Sequence, residues 1–241
     1  MDEIIGRHQR IALQFSGGRD SLACLYLMRP YWDRLTVYWC DTGAAYPETI
    51  SLMEKVRDMV PNFARIEGRQ PQVIEAFGIP SDIVPVNATP VGRFVGDEAA
   101  PLIQDRYSCC IRSMMEPTHE RMIADGITLI IRGQKQKDRL KSRVRSGDAH
   151  DGIEYLFPIE DWDAAQVMRF LKDEGAPLPR FYEMLNGMPD CMTCSAWWEE
   201  GAAKYLKRYH HAQFLDNQKR LDIINAAVGE HIAAFNKEVN A

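Results

Sequence analysis

No run of apolar residues in this chain approaches the length of a membrane span. The opening MDEIIGRHQR lacks the basic-then-apolar order of a secretory signal. Both absences point to a cytoplasmic protein with no membrane partner. Internal repeats and low-complexity tracts are missing as well, which excludes repeat arrays and flexible linkers. A surplus of positive charge is also lacking. Lys and Arg number 29 against 34 Asp and Glu, a net charge of −5, so no global basic field announces nucleic acid. Any polyanion site must be local. Cysteine is scarce, six in 241 residues. Without secretion signals these thiols suit a reducing compartment, and metal or redox work rather than disulfides. What is present, 46% hydrophobic and 26% charged residues, supplies ample core for one large α/β domain, with or without an appendage.

The chain is organised around Arg10 to Met28. Ile11 to Phe15 has the length and composition of a buried strand. It breaks on Ser16-Gly17-Gly18-Arg19-Asp20-Ser21, then resumes as an apolar helix with Leu22, Ala23, Leu25, Tyr26 and Met28. Strand, glycine turn and helix together aim backbone N–H groups and a helix dipole at one anion. The glycines let backbone approach phosphate, and Ser16 and Ser21 can donate hydroxyl hydrogen bonds. The Walker spacing does not fit, since it needs four residues between its glycines and a Lys after the second. The structural alternative is a turn that merely wants glycines. The segment resembles the SGGxDS motif of the PP-loop ATP pyrophosphatases, which cleave ATP between its α- and β-phosphates. That resemblance implies ATP on Ser16 to Ser21, with Mg²⁺ held through Asp20 or Asp41.

Leu35 to Cys40 is the second strand, β-branched and aromatic. Asp41-Thr42-Gly43 follows its carboxyl end, where ligands sit in an open parallel sheet. Asp41 could hold Mg²⁺ or a ribose hydroxyl, or simply cap the turn. A helix then runs from Pro47 to Met59. This DTG and PET segment is similar to the second motif of the phosphoadenosine phosphosulfate (PAPS) reductase family, a branch of the PP-loop superfamily. Strands are expected at Phe63 to Glu67 and Ile83 to Val86, with a short helix from Gln72 to Phe77. Asn87 to Ser108 reads as a mobile connection near the site. Cys109-Cys110-Ile111-Arg112 to Pro117 resembles the family's CCxxRxxxP segment. Its helix continues to Asp125, Gly126 ends it, and Ile127 to Ile131 is a buried strand.

That strand delivers residues 132–145, with seven basic side chains in fourteen: Arg132, Lys135, Lys137, Arg139, Lys141, Arg143 and Arg145. Following a strand's carboxyl end in an acidic protein, they suit a polyphosphate or a nucleic-acid backbone, the alternative being a solvated loop. Related enzymes carry Gly-x-Arg here; this chain has Gly133-Gln134-Lys135, which keeps the charge and loses the bidentate fork. Glu154 to Ile159 is strand-like. Asp161 suits an N-cap for a helix from Trp162 to Lys172, with Trp162 in the core. From Trp197 the spacing is helical, giving two helices as a C-terminal extension after a nucleotide-binding domain of residues 1–196. His210, His211 and His231 fall on their surface.

Four of the six cysteines form two pairs, Cys109-Cys110 and, after 80 intervening residues, Cys191-x-x-Cys194. Four thiolates suit tetrahedral zinc or a 4Fe–4S cube. Adjacent cysteines diverge, which is awkward for one zinc ion and natural for separate irons of a cube. The pattern is similar to the cluster-binding pattern of adenosine phosphosulfate (APS) reductases. Zinc, or a redox pairing, remains the alternative, and Cys24 and Cys40 read as buried fillers.

The family resemblance covers residues 10 to 196 and implies an open, mostly parallel α/β sheet of the adenine nucleotide α-hydrolase kind. Sulfonucleotide reductases use a nucleophilic cysteine in a C-terminal Glu-Cys-Gly-Leu-His element, and no cysteine follows Cys194 here. The phosphate loop, degraded in those reductases, is intact. The expected reaction is therefore adenylation of an acceptor by ATP with release of pyrophosphate. In it Asp20, Lys135, Arg139 and Arg143 act on the leaving group, and Thr42, Gly43, Arg132 and Gly133 join the nucleotide site. The resemblance extends to the iron–sulfur ATP pyrophosphatase of DNA phosphorothioation systems. That implies a sulfur donor such as a cysteine desulfurase, and a DNA or tRNA acceptor at the basic loop. A sulfonucleotide reductase, a tRNA-thiolating enzyme and a noncatalytic nucleotide-binding module are the alternatives; a homo-oligomer is left open.

Overall fold

The computed structural model describes residues 1–96, 100–138 and 143–240. In chain order its elements are α1 (Asp2–Gly6), β1 (Ile11–Gln14), α2 (Arg19–Leu27), β2 (Leu35–Asp41), α3 (Pro47–Met59) and β3 (Phe63–Glu67). Next come α4 (Gln70–Phe77), β4 (Ile79–Ser81), α5 (Pro90–Val95), β5 (Ile103–Asp105), α6 (Arg106–Cys110), a π-helical turn (Ile111–Met115) and α7 (Glu116–Ala124). Then follow β6 (Leu129–Ile131), β7 (Ala149–His150), β8 (Ile153–Leu156), α8 (Ala164–Asp173), α9 (Ala202–Tyr209) and α10 (His211–Val239). They form two compact units. The first is Met1–Asp41, Tyr46–Glu67 and Pro117–Arg180; the second is Thr42–Ala45, Gly68–Glu116 and Phe181–Ala241.

The first unit is built on a six-stranded sheet in the order β3-β2-β1-β6-β8-β7. Every pairing is parallel except β7 with β8. This is the open α/β sheet that the sequence implied. Ile11, Ala12 and Leu13 of β1 and Leu129, Ile130 and Ile131 of β6 are all buried. Helices on both faces leave these central strands no solvent side, which is why they read as unbroken apolar runs. The chain winds from β1 outward through β2 and β3, then restarts on the other side of β1 at β6. That reversal is a topological switch point, and the crevice beyond the carboxyl ends of β1 and β6 is where such sheets take ligands. Helix α8 starts two residues later than expected. Its cap is Asp163, whose carboxylate accepts from Gln166 N while Gln166 Oε1 accepts from Asp163 N, each at 2.8 Å. Asp161 has no Gln or Glu three residues on to close such a box, and it accepts from Gln136 instead. Trp162 lies half-buried ahead of the helix, edge-on to Phe170.

The second unit pairs β4 with β5 and surrounds them with α4, α5, α6, α9 and α10. The strand expected at Ile83 to Val86 is a turn and a 3₁₀ segment; the strand is Ile79–Ser81. Ile83 and Val86 are exposed, and Ser81 Oγ bonds both backbone groups of Ile83, closing a turn that no ladder can use. The expected mobile connection from Asn87 to Ser108 carries α5, β5 and the start of α6 among its described residues. Helix α10 contributes Ile224 and Ala227 to one core cluster with Ala88 and Ile103. The boundary expected after residue 196 therefore matches neither unit, because α10 shares a core with residues more than a hundred positions earlier. Among the described residues no helix is long and apolar enough to cross a membrane.

Candidate nucleotide site and cysteine centre

The expected phosphate loop lies at the carboxyl end of β1 and leads into α2. Gly17 has φ +82°, a backbone conformation that favours glycine, and a Cβ there would meet the flexible end of Met53 at 2.8 Å. Ser16 Oγ accepts from Gly18 N at 3.2 Å and lies 3.3 Å from Ser21 Oγ, which donates to Gly18 O at 2.9 Å. These bonds hold both hydroxyls at the start of α2, where unpaired N–H groups and the helix dipole favour an anion. Arg19 Nε is 4.0 Å from Asp20 Oδ1.

The loop after β6 meets the same turn. A Cβ on Gly133 would lie 2.6 Å from the carbonyl carbon of Asp20 and 2.7 Å from Ser21 N. Lys135, 5% exposed, places Nζ 2.5 Å from Asp20 Oδ2 and 3.0 Å from Asp138 Oδ1. Asp20 Oδ1 is buried and has no hydrogen-bond partner. A buried, orphaned carboxylate oxygen beside a phosphate loop fits an absent hard cation such as Mg²⁺, which takes oxygen ligands. Burial pushes the half-buried Arg132 guanidinium down from its usual value. Arg143 is exposed. Arg139 lies outside the described residues. A cavity of about 100 Å³ opens beside Lys135, lined among others by Gln136, Arg145, Phe157 and Glu160. Asp41 ends β2 paired with Arg65 of β3, so its carboxylate already has a cation.

Thr42 and Gly43 belong to the second unit. The Thr42 side chain hydrogen-bonds Cys191, so its neighbour is a thiol. Cys109, Cys110, Cys191 and Cys194 all lie in this unit, with no disulfide among them. Each is close enough to perturb at least one of the others. Burial, then neighbouring acidic and thiol groups, pushes Cys110 and Cys194 up to about 12 and Cys191 well above its usual value. Burial also raises Cys109. The Trp197 side chain hydrogen-bonds Cys110, and Ser113 Oγ lies 3.7 Å from Cys109 Sγ. Trp197 sits in the left-handed region at φ +62°, its N donating to Asp82 and its ring 4.0 Å beneath the Arg106 guanidinium. Thr193, inside the CxxC pair, donates to Gln70 Oε1, leaving Gln70 Nε2 buried without a partner. A spare buried donor on a residue that holds the Cys191–Cys194 loop would suit an anionic group there. Among the described residues no three His, Cys, Asp or Glu side chains are gathered as a site for a metal ion. What would suit a metal–thiolate group is therefore donor type, four thiols within one unit. Cys24 is buried in the first unit, as expected, whereas Cys40 is half-buried and packs against its core. His211 and His231 are exposed, while His210 is half-buried beside Tyr205.

Residues 10–85 match the phosphoadenosine phosphosulfate reductase domain. The chain is 22% identical over 208 residues to the adenosine 5′-phosphosulfate reductase of Allochromatium vinosum, covering 80% of this chain and 76% of that protein. The chain is thus similar to the PAPS/APS reductases over its phosphate-loop segment. Among solved structures, the chain resembles the phosphoadenylyl-sulfate reductase of Candida auris. That match has a TM-score of 0.53 and 15% identity, over 78% of this chain and 87% of that one. A weaker likeness, TM-score 0.45 at 13% identity, is to the U34-tRNA thiolase NcsA of Methanococcus maripaludis, over 92% of this chain and 72% of that one. The matched segment carries the whole loop Ser16 to Ser21 and ends before either cysteine pair. Sequence reasoning missed Thr42 as a cysteine partner, and Gln70, Asp82 and Trp197 as supports. None stands at a motif spacing that could have marked it.

Proposed function

We propose that this protein is a PAPS reductase family ATP pyrophosphatase that adenylates an acceptor for sulfur transfer. The observation that carries the reading is the orphaned Asp20 Oδ1 within an intact phosphate loop, beside buried Lys135. An acceptor oxygen attacks the α-phosphorus; the Pα–O bond to it forms as the Pα–O–Pβ bridge breaks. Pyrophosphate leaves with the bridging electron pair. Backbone N–H groups of Ser16 to Ser21 and the ammonium of Lys135 stabilise that developing charge, with Arg143 and Arg139 adding positive potential. Mg²⁺ on Asp20 supplies further neutralisation. Cys109, Cys110, Cys191 and Cys194 hold a 4Fe–4S cluster, with zinc as the alternative metal, and the cluster supplies fixed charge or a binding point for sulfur. Lys137, Arg143 and Arg145 suit the backbone of a DNA or tRNA acceptor, with a cysteine desulfurase as sulfur donor and DNA phosphorothioation as the setting.

Pyrophosphate release with Mg²⁺ and DNA or tRNA tests the reading. Asp20→Ala should lower release by at least about 10²-fold with an unchanged circular dichroism spectrum; full release by the variant sinks the ATP assignment. The similarity to an APS reductase favours a second reading, reduction of a sulfonucleotide. It requires sulfite release from APS or PAPS with thioredoxin, and helices α9 and α10 carry no cysteine to serve as nucleophile.

A further inference from the structure

Residues 135–138 close a turn in which every polar group of Lys135 meets Asp138. The Lys135 N–H donates to Asp138 Oδ2 at 2.8 Å, and the Lys135 carbonyl accepts from Asp138 N at 3.2 Å. The ammonium reaches the other carboxylate oxygen, Oδ1, at 3.0 Å. One aspartate therefore holds both ends of one lysine, fixing the side chain at its root and at its head. The next residue is anchored too. Gln136 N donates to Glu160 O at 2.8 Å, which ties the turn to the segment that follows β8.

On a solvated turn such an ion pair between residues three apart would add little. Burial makes this one different, since the Lys135 side chain is 5% exposed and that of Asp138 30%. A buried ammonium has lost most of its hydration and needs charged partners in its place. It carries three N–H donors. Among the described residues, Asp20 Oδ2 at 2.5 Å and Asp138 Oδ1 occupy two of them. The two carboxylates differ in their second oxygens. Asp138 commits Oδ2 to the Lys135 backbone, whereas Asp20 keeps Oδ1 buried and without a hydrogen bond. Asp20 is thus the carboxylate left for a cation, and Asp138 is the counter-ion that stays with the lysine.

We propose that Asp138 is a positioning residue of the polyphosphate site, acting through Lys135. It holds the ammonium beside the phosphate loop with one N–H open for a phosphate oxygen. It also balances the lysine charge, so that Asp20 can turn to the cation. The inference rests on the reading of this site as one for Mg²⁺ and ATP. Without the Asp138 charge, the ammonium leans on Asp20 alone, less fixed and in competition with the cation for one carboxylate. Asp138→Asn isolates that effect. It removes the charge but keeps an oxygen that can accept from Lys135 N, so the turn survives while the head is released.

Calorimetry with ATP and Mg²⁺ tests this on full-length wild type, Asp138→Asn, Lys135→Gln and the double variant. Melting temperatures without nucleotide establish that each protein is folded at the temperature of the titration. Lys135→Gln leaves the loop amides and Asp20 in place, so it should still bind ATP, more weakly than wild type. Asp138→Asn should weaken binding about 10-fold in the wild-type background. In the Lys135→Gln background the same change should alter affinity by less than about 2-fold. Such non-additivity marks a residue that acts through the lysine; a purely structural role lowers affinity equally in both backgrounds. Equal losses in the two backgrounds overturn the inference, as does unchanged affinity in Asp138→Asn. Wild type that binds no ATP with Mg²⁺ sinks the nucleotide reading itself, a failure visible before any variant is compared.

Discussion

Gly133 leaves the candidate nucleotide site no slack. Its missing Cβ lets the loop after β6 lie against the Asp20 carbonyl, which in turn brings Lys135 to the Asp20 carboxylate. Gly133→Ala inserts a methyl against backbone at 2.6 Å, and neither partner is a flexible side-chain end that could move aside. The expected cost is about 1–3 kcal/mol, read as a lower urea midpoint at unchanged slope, together with weaker ATP binding by calorimetry. At this scale the sequence was informative wherever chemistry is written in consecutive residues. Gly17, Gly18, Asp20 and the four cysteines stand out as candidates because of their order in the sequence. Gln70, Asn217 and Arg220 carry no such mark, and Thr42 reads as part of the nucleotide site rather than as a partner of Cys191. Thr42 bonds to Cys191, Gln70 accepts from Thr193, Asn217 donates to the carbonyls of Met192 and Cys194 and Arg220 to that of Thr193, and a polar side chain carries no mark of such distant partners.

Among the elements, those set by local signals were the most legible. Pro47–Met59 has proline in its first turn and an apolar stripe of Thr49, Leu52, Met53 and Val56, and its bounds are those expected. Phe63–Glu67 likewise kept its bounds. Ile83 to Val86 has strand composition yet joins no ladder and leaves Ile83 and Val86 exposed, because β-propensity reflects packing that only the tertiary structure supplies. The start of β8 is tied to the turn after α1 by Glu154, which accepts from Arg7 at 2.5 Å and His8 at 2.7 Å. The His8 hydrogen bond, and after it Arg7, outweigh burial and hold Glu154 below the usual glutamate value. A carboxyl lowered in the folded state adds stability above its unfolded value and loses it as pH falls through the folded one. The melting temperature of wild type should therefore drop below about pH 4.5 more steeply than that of Glu154→Gln. Parallel melting curves for the two would remove Glu154 from the account.

On the scale of the whole chain, the two units are interleaved in sequence rather than strung end to end. The chain passes from one to the other at Asp41–Thr42, Ala45–Tyr46, Glu67–Gly68, Glu116–Pro117 and Arg180–Phe181. A division after residue 196 follows motif order, whereas the units follow shared cores, and only the first is written locally. Removing residues 211–240 should accordingly strip more than an appendage. Ala88 and Ile103 lose Ile224 and Ala227, and the Cys191–Cys194 loop loses Asn217 and Arg220. The truncated protein should retain little iron after reconstitution and melt earlier than wild type; full iron loading would restore the appendage view.

The grip of α10 on the cysteine loop also dictates a timetable. During synthesis Cys109 and Cys110 emerge first, Cys191 and Cys194 much later, and the side chains that hold the last pair later still. A nascent chain that has just exposed its fourth thiol has no Asn217 or Arg220 to close the loop. The four thiols and their supports coexist only once the ribosome has passed Arg220, so the cysteine loop closes after α10 has been made, not as its own residues emerge.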